Sequence, residues 1–169
     1  AGKAGPLSPG GTADRVEIAL ERVAVSHPDA QFCLDGYFRE INSRFETGFD
    51  PARGGAADDG IYAPPTGDFL IARVQGKAAG CGAVAFRDGG YAEIKRMWVS
   101  EVVRGQGVGH QILLRLEDVA REAGFARVRL DSNRSLTEAH KLYARCGYSE
   151  IARYNDNPYA EIWFEKMLD

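Results

Sequence analysis

The sequence predicts an α/β fold on a mixed central β-sheet, an antiparallel meander joined to a parallel βαβ unit and flanked by helices. Two observations carry this. Three runs rich in strand formers, 68–74, 78–86 and 91–99, are separated by the short turns Gln75-Gly76-Lys77 and Asp88-Gly89-Gly90, the pattern of consecutive antiparallel strands. The period then changes. Val108, Ile112, Leu113, Leu116, Val119, Ala120 and Ala123 fall on one helical face. Gly124 follows, as glycine does past a helix end. Arg127–Leu130 is a short strand after it, and strand–helix–strand implies parallel pairing through a right-handed crossover.

The remaining elements follow in chain order. Residues 1–12 are small residues, Gly and Pro, without a basic stretch before an apolar core. They read as a flexible leader rather than a signal peptide, with one domain over 13–169. Arg15–Leu20 alternates polar and apolar residues, so a first strand is expected there. Ser26-His27-Pro28 reads as a helix start. Leu34, Tyr37, Phe38, Ile41 and Phe45 form the apolar stripe of that helix. Residues 47–67 hold five glycines and three prolines, a long loop of the kind that tends to be functional. Gly80 and Gly82 mark a close approach to the second meander strand. A last helix is expected over Ser135–Arg145, with Gly147 beyond its end. Strands follow at Tyr148–Ala152 and Ala160–Met167, with the Asn155-Asp156-Asn157-Pro158 loop between them.

Composition excludes several classes. The 169 residues carry 21 basic and 24 acidic side chains, a formal charge of −3. That argues against nucleic-acid binding by bulk positive charge. No run of 18 apolar residues suggests a membrane span. Cys33, Cys81 and Cys146 are odd in number and widely spaced, and the three histidines show no ligand spacing. Neither a disulfide framework nor a metal site is expected, and a reducing cytoplasm fits best.

The most informative segment is Arg104-Gly105-Gln106-Gly107-Val108-Gly109, between a strand and an amphipathic helix. Main-chain N–H groups there lack intrahelical partners and sit at the positive end of the helix dipole. Glycines let an anion approach the backbone, and Arg104 adds a charge. This describes a phosphate cradle. It is not a P-loop, since no Lys follows the glycines. It is not a dinucleotide fingerprint either, since the GxGxxG frames starting at Gly105 and Gly107 end on His110 and Ile112. The alternative for the residues alone is a glycine-rich turn without a ligand.

Arg-x-x-Gly-x-Gly at a strand-to-helix turn resembles the acetyl-coenzyme A signature of the GCN5-related N-acetyltransferases, the GNAT superfamily, in its small bacterial type. Glu93-Ile94-Lys95-Arg96-Met97-Trp98-Val99 resembles that family's fourth strand. Leu130-Asp131-Ser132-Asn133 resembles the end of its fifth strand. Ala139-His140-Lys141-Leu142-Tyr143 with Gly147-Tyr148 resembles its last helix and the strand after it. The specific likeness covers about Ala78 to Ile151.

The resemblance implies a GNAT-like acyl-CoA N-acyltransferase fold and acetyl-CoA as co-substrate, with no metal. It implies that Arg104, Gly105, Gln106, Gly107, Val108, Gly109 and His110 hold the pyrophosphate. Main chain at Met97, Trp98 and Val99 would meet the pantetheine arm where the fourth strand splays from the fifth, with Asn133 and Leu142 beside it. Asn133 would equally serve as a helix cap. Tyr143 is implied as the acid that protonates the leaving thiolate, against an ordinary place on an amphipathic helix. Glu93 is implied as general base, against a strand carboxylate paired with Lys95 or Arg129 or a chain of waters doing that work. The acceptor side falls on Leu34–Phe49, 50–67 and Arg153–Ala160. Tyr37, Phe38, Glu93 and Tyr159 are its candidate contacts, and Asp58, Asp59 and Glu161 are candidate anchors for a cationic amine.

The implied reaction is direct attack of a primary amine on the thioester in a ternary complex, without a covalent enzyme intermediate. Cys81 and Cys146 have no neighbouring base in sequence and are not expected to carry acyl groups. A small-molecule acceptor is favoured over a protein. The alternatives are a non-catalytic acyl-CoA-binding or regulatory domain and a transferase of a longer acyl group, for which Gly80 and Gly82 would leave room. A homodimer is expected by family habit, and the apolar last strand, with Ile162, Trp163 and Phe164, is expected either to pack in the core or to form part of that contact.

Overall fold

The computed structural model describes residues 17–44 and 56–169. The leader, Phe45, most of the 47–67 loop and the Asp58 side chain lie outside what is described. The elements are β1 (Ile18–Arg22), α1 (Pro28–Arg44), β2 (Gly67–Val74), β3 (Lys77–Arg87), β4 (Tyr91–Val99), α2 (Val108–Glu122), β5 (Arg127–Ser132), α3 (Thr137–Arg145), β6 (Ser149–Ile151) and β7 (Ile162–Met167). Short 3-10 turns cover Ala56–Ile61 and Glu101–Val103.

The seven strands form one sheet in the order β1-β2-β3-β4-β5-β7-β6. β1 to β4 are an antiparallel meander, and β4 pairs β5 in parallel. β7 returns antiparallel between β5 and β6. The last strand is therefore interior rather than a free edge. Its Ile162 and Phe164 are core residues, so of the two expected places for this strand, core and dimer contact, these two side chains take the core. The edges are β1 and β6.

Helices pack on both faces because alternate strand residues are apolar on both. On one face α2 presents Ile112, Leu113 and Leu116, all fully buried, to Leu70, Val84, Ile94, Val128 and Leu130. Each such side chain contributes roughly 1.5–3 kcal/mol. On the other face α1 lays Ala30, Cys33 and Leu34 against Phe69, Ile71, Cys81 and Ala83.

Glycine sets both approaches. A Cβ at Gly82 would lie 2.7 Å from Ile112, 2.8 Å from Leu116 and 2.9 Å from the Met97 sulfur. One at Gly80 would lie 2.9 Å from the Trp98 carbonyl oxygen. The space beside these glycines is thus filled by core, which corrects the expectation that they leave room for a longer acyl chain. On α1, a Cβ at Gly36 would enter the Trp98 indole, 2.4 Å from its nearest atom.

One buried ionic group lies away from the cleft. Glu117 on α2 accepts from the Tyr148 hydroxyl (2.9 Å) and from Lys166 Nζ (2.8 Å). It ties α2 to β7 and to the chain entering β6. The three cysteines are unpaired, Cys33 and Cys81 being fully buried.

Candidate active site

β4 and β5 are bonded only at Ala92↔Val128 and Glu93↔Arg129. Beyond Glu93 they part. The reason is local to β4. Opposite Gly82 of β3, β4 places two residues, Arg96 and Met97, where one is expected, since Cys81 pairs Trp98 and Ala83 pairs Lys95. Such a bulge bends the strand and increases its twist. Arg96 takes up the distortion at φ +60°, a left-handed conformation that costs a non-glycine residue roughly 1–3 kcal/mol and concentrates at functional sites.

The parted strands open a cavity of about 850 Å³. Its walls are Ile94–Val99 of β4, Leu130–Ser132 of β5, Leu142 and Tyr143 of α3, and Tyr37, Glu40, Ile41 and Arg44 of α1. Its far end is Arg104, Gly105 and Gly107–His110.

That end has the geometry to cradle an anion. Gly107, the residue before α2, has φ +82° and offers no side-chain cap. Gln111 is the first residue whose N–H donates to Gly107 O, at 3.0 Å. The N–H groups of Val108, Gly109 and His110 thus have no intrahelical acceptor. A Cβ at Gly105 or Gly107 would meet nothing within 4 Å, so the ground in front of these amides is open. The residues fit a diphosphate. Arg104 is held at the rim, where Nη2 donates to Glu40 Oε2 (2.6 Å) and Nε to the Val99 carbonyl (3.1 Å). Its second bond occupies a main-chain acceptor that the family resemblance assigns to pantetheine. Gln106 is absent from the residues lining the cavity.

Tyr143 is 6% exposed and lines the cavity. Its ring packs on Phe164 and Tyr148, at centroid distances of 5.7 and 5.9 Å. Its hydroxyl makes no hydrogen bond with the described residues. Burial, with the nearby Tyr37 phenol and Asp131 carboxylate, pushes the phenol well above its ordinary range. It is held protonated. Asn133 makes a turn, its Oδ1 accepting from Ser135 N–H (2.9 Å) and its Nδ2 donating to the Tyr159 carbonyl (3.4 Å). It does not line the cavity.

On the opposite face of the sheet lies a polar wall. Glu93 is 3% exposed and accepts four hydrogen bonds: from Arg87 Nε (3.1 Å) and Nη2 (2.9 Å), the Tyr154 hydroxyl (2.7 Å) and Asn155 Nδ2 (3.2 Å). Its ion partners are Arg87 and, at longer range, the expected Lys95, while Arg129 instead binds Glu165 at 2.7 Å. Lys95 stands 3.9 Å away. Glu93 is not among the lining residues. Asp131, two residues past the last β4–β5 pair, does line the cavity. It accepts from Lys95 Nζ (2.8 Å), Asn155 Nδ2 (2.5 Å) and Asn157 Nδ2 (3.2 Å).

Arg96, also lining, is 3% exposed. It donates through Nε and Nη2 to Asp59 Oδ1 and lies 5.4–5.7 Å from the Tyr37, Phe38 and Tyr62 rings. Asp59 is thus already engaged by a cation. Glu161 is exposed and accepts from Arg134 N–H (3.4 Å). Tyr37 lines the cavity, while Phe38 and Tyr159 do not.

Sequence reasoning missed Lys95, Arg96 and Asp131. Two signals pointed to them: charged residues in strands otherwise buried, and the amide-rich Asn155-Asp156-Asn157-Pro158 loop, whose donors are now accounted for.

Among the described residues no group of His, Cys, Asp and Glu could hold a metal ion. No described helix is long and apolar enough to cross a membrane.

A sequence model of the acetyltransferase (GNAT) family matches residues 36–148. The chain is similar to an IAA acetyltransferase from Azospirillum brasilense, 36% identical over 110 residues, 63% of this chain and 71% of that protein. The first curated relatives are matched over 52 to 71% of their lengths. Among solved structures, an acetyltransferase of the same family from Staphylococcus aureus superposes with a TM-score of 0.77 at 16% identity, over 90% of this chain and all of that one. One from Elizabethkingia anophelis, solved with acetyl-CoA bound, superposes with a TM-score of 0.63 at 16% identity, over 89 and 98% of the two chains. These likenesses show the fold.

Proposed function

The chain belongs to the acetyltransferase (GNAT) family, and from that premise we propose that it transfers the acetyl group of acetyl-CoA to the primary amine of a small molecule. One observation carries this reading. The split between β4 and β5 runs into a helix N-terminus whose amides are unpartnered and unobstructed. Diphosphate binds at that terminus. The pantetheine arm takes the place of a missing strand along Ile94–Val99, and the thioester reaches Tyr143.

The chemistry is addition of the amine to the thioester carbonyl within a ternary complex. The chain's contribution is orientation, with main-chain N–H groups at the β4 bulge facing the developing oxyanion. Tyr143 donates its proton to the departing thiolate, and burial keeps that proton in place until it is needed. Glu93 is assigned a positioning role, because its oxygens already accept four hydrogen bonds; water takes the amine's proton. The three unpaired thiols favour a reducing, cytoplasmic setting.

The test is release of free thiol from acetyl-CoA in the presence of a panel of primary amines. Release that depends on an amine supports the reading. Acetyl-CoA binding without turnover, for any amine, replaces it with a non-catalytic acyl-CoA-binding role.

A further inference from the structure

We propose that the acceptor is a small zwitterion, an amine with a carboxylate or other acid group close by, and that Asp131 and Lys95 recognise its two ends. This rests on the N-acetyltransferase reading above.

The split between the strands leaves one anion and one cation side by side in the cavity wall. Lys95 Nζ lies 2.8 Å from Asp131 Oδ2, the side chains being 14% and 7% exposed. Both line the cavity. Neither has its hydrogen-bonding capacity filled by the described residues. An ammonium has three N–H donors. Lys95 makes one hydrogen bond, with its second carboxylate, Glu93, at 3.9 Å. A carboxylate offers about four acceptor sites. Asp131 Oδ2 takes Lys95 and Asn155, but Oδ1 takes only Asn157, at 3.2 Å. Charged groups in this state, nearly out of water, carry a desolvation cost that a ligand of matching charges offsets.

The frame around the pair is rigid. Asn155, which holds Asp131, is itself fixed by Trp163 Nε1 (2.9 Å) and reaches Glu93. Strand alternation puts Lys95 and Asp131 on the face opposite Ile94 and Leu130, which pack with Tyr143. An amine held at Asp131 therefore meets the split from the side away from α3. Its acid group reaches Lys95 next to it. A simple amine adds to Asp131 alone and leaves the other two N–H donors of Lys95 without a ligand acceptor, which is how a polar site discriminates strongly.

The experiment measures acceptor-dependent thiol release from saturating acetyl-CoA by the wild-type protein, with acetyl-CoA binding followed separately by calorimetry. Each of the common L-amino acids is compared with its decarboxylated amine, its carboxamide and the aminophosphonate of the same skeleton. The expected result is at least one amino acid or aminophosphonate whose kcat/KM exceeds that of its amine and amide partners by about tenfold or more, the scale of one charge-assisted hydrogen bond. The carboxylate and phosphonate arms identify the acid. Lys95→Met is expected to shrink that ratio by about 10- to 100-fold; a Lys95 that merely fastens β4 to β5 would leave the ratio unchanged. If the variant does not fold, the wild-type panel decides alone. Equal or better rates with the amines or amides overturn the proposal. So does acetyl-CoA binding with no release to any amino acid or aminophosphonate, which leaves the cofactor reading standing. Failure of acetyl-CoA to bind overturns that reading itself.

Discussion

Tyr143→Phe removes one oxygen and little else. The ring keeps its contacts with Phe164 and Tyr148 at 5.7 and 5.9 Å. The hydroxyl makes no hydrogen bond with the described residues, so no partner is orphaned, and the loss of folding stability is expected to stay below about 1 kcal/mol. What disappears is the hydroxyl that the proposed function assigns as proton donor to the leaving thiolate. General-acid contributions are typically 10²–10⁴-fold, about 2.7–5.4 kcal/mol of activation free energy. The assay is acceptor-dependent thiol release across pH, with acetyl-CoA binding by calorimetry and urea unfolding as controls. Binding and unfolding are expected to stay near wild type while kcat falls. The pH profile carries a second mark. Burial raises the Tyr143 phenol above its ordinary value of 10, so the acid form persists and kcat shows no alkaline decline from this group below about pH 10. A variant within about threefold of wild-type kcat would refute the acid role.

Three further outcomes are expected. Gly107→Trp places an indole in the open ground before the α2 amides and is expected to weaken acetyl-CoA binding about 100-fold or more, while Gly107→Ala costs about 1–2 kcal/mol of stability from its left-handed backbone; calorimetry and urea unfolding separate the two. Gly82→Ala drives a methyl within 2.9 Å of Ile112, Leu116 and Met97 and is expected to cost about 1–3 kcal/mol, read as a lowered urea midpoint; an unchanged midpoint would mean that α2 shifts freely on β3. His140 is held below its ordinary 6.5, chiefly by burial, so between the folded and unfolded values the unfolded chain binds more protons. Its contribution is present above 6.5 and lost as pH falls through the lower, folded value. The slope of stability against pH below 6.5 is expected to flatten in His140→Gln.

Local signals located most of the fold. The meander turns, the apolar face of α2 and the glycines after α2 and α3 each act through nearest neighbours, so the strands and helices appear within a few residues of where they were expected. The cradle was legible for the same reason, since Arg104, Gly105 and Gly107 are contiguous. The polar wall around Glu93 and Asp131 was not. Glu93, Asp131 and Asn155 come from β4, β5 and the segment before β7, and only the sheet order brings them together. The resemblance that singled out Glu93 gave no count of its partners, and those partners, Arg87, Tyr154 and Asn155, decide what its carboxylate is free to do. Gly80 and Gly82 looked like room for a ligand because sequence shows a missing side chain and not what fills its place. The bulge at Arg96 had no signal of its own, since the strain there is imposed by pairing with β3.

In the proposed function the β4–β5 split and the α2 N-terminus together seat acetyl-CoA. Calorimetric titration of the wild-type protein with acetyl-CoA tests it most directly. One-to-one binding in the micromolar range, about −8 kcal/mol, is expected, and is expected to be lost in Gly107→Trp. No heat at millimolar acetyl-CoA, or equal binding by the Gly107→Trp protein, would contradict it.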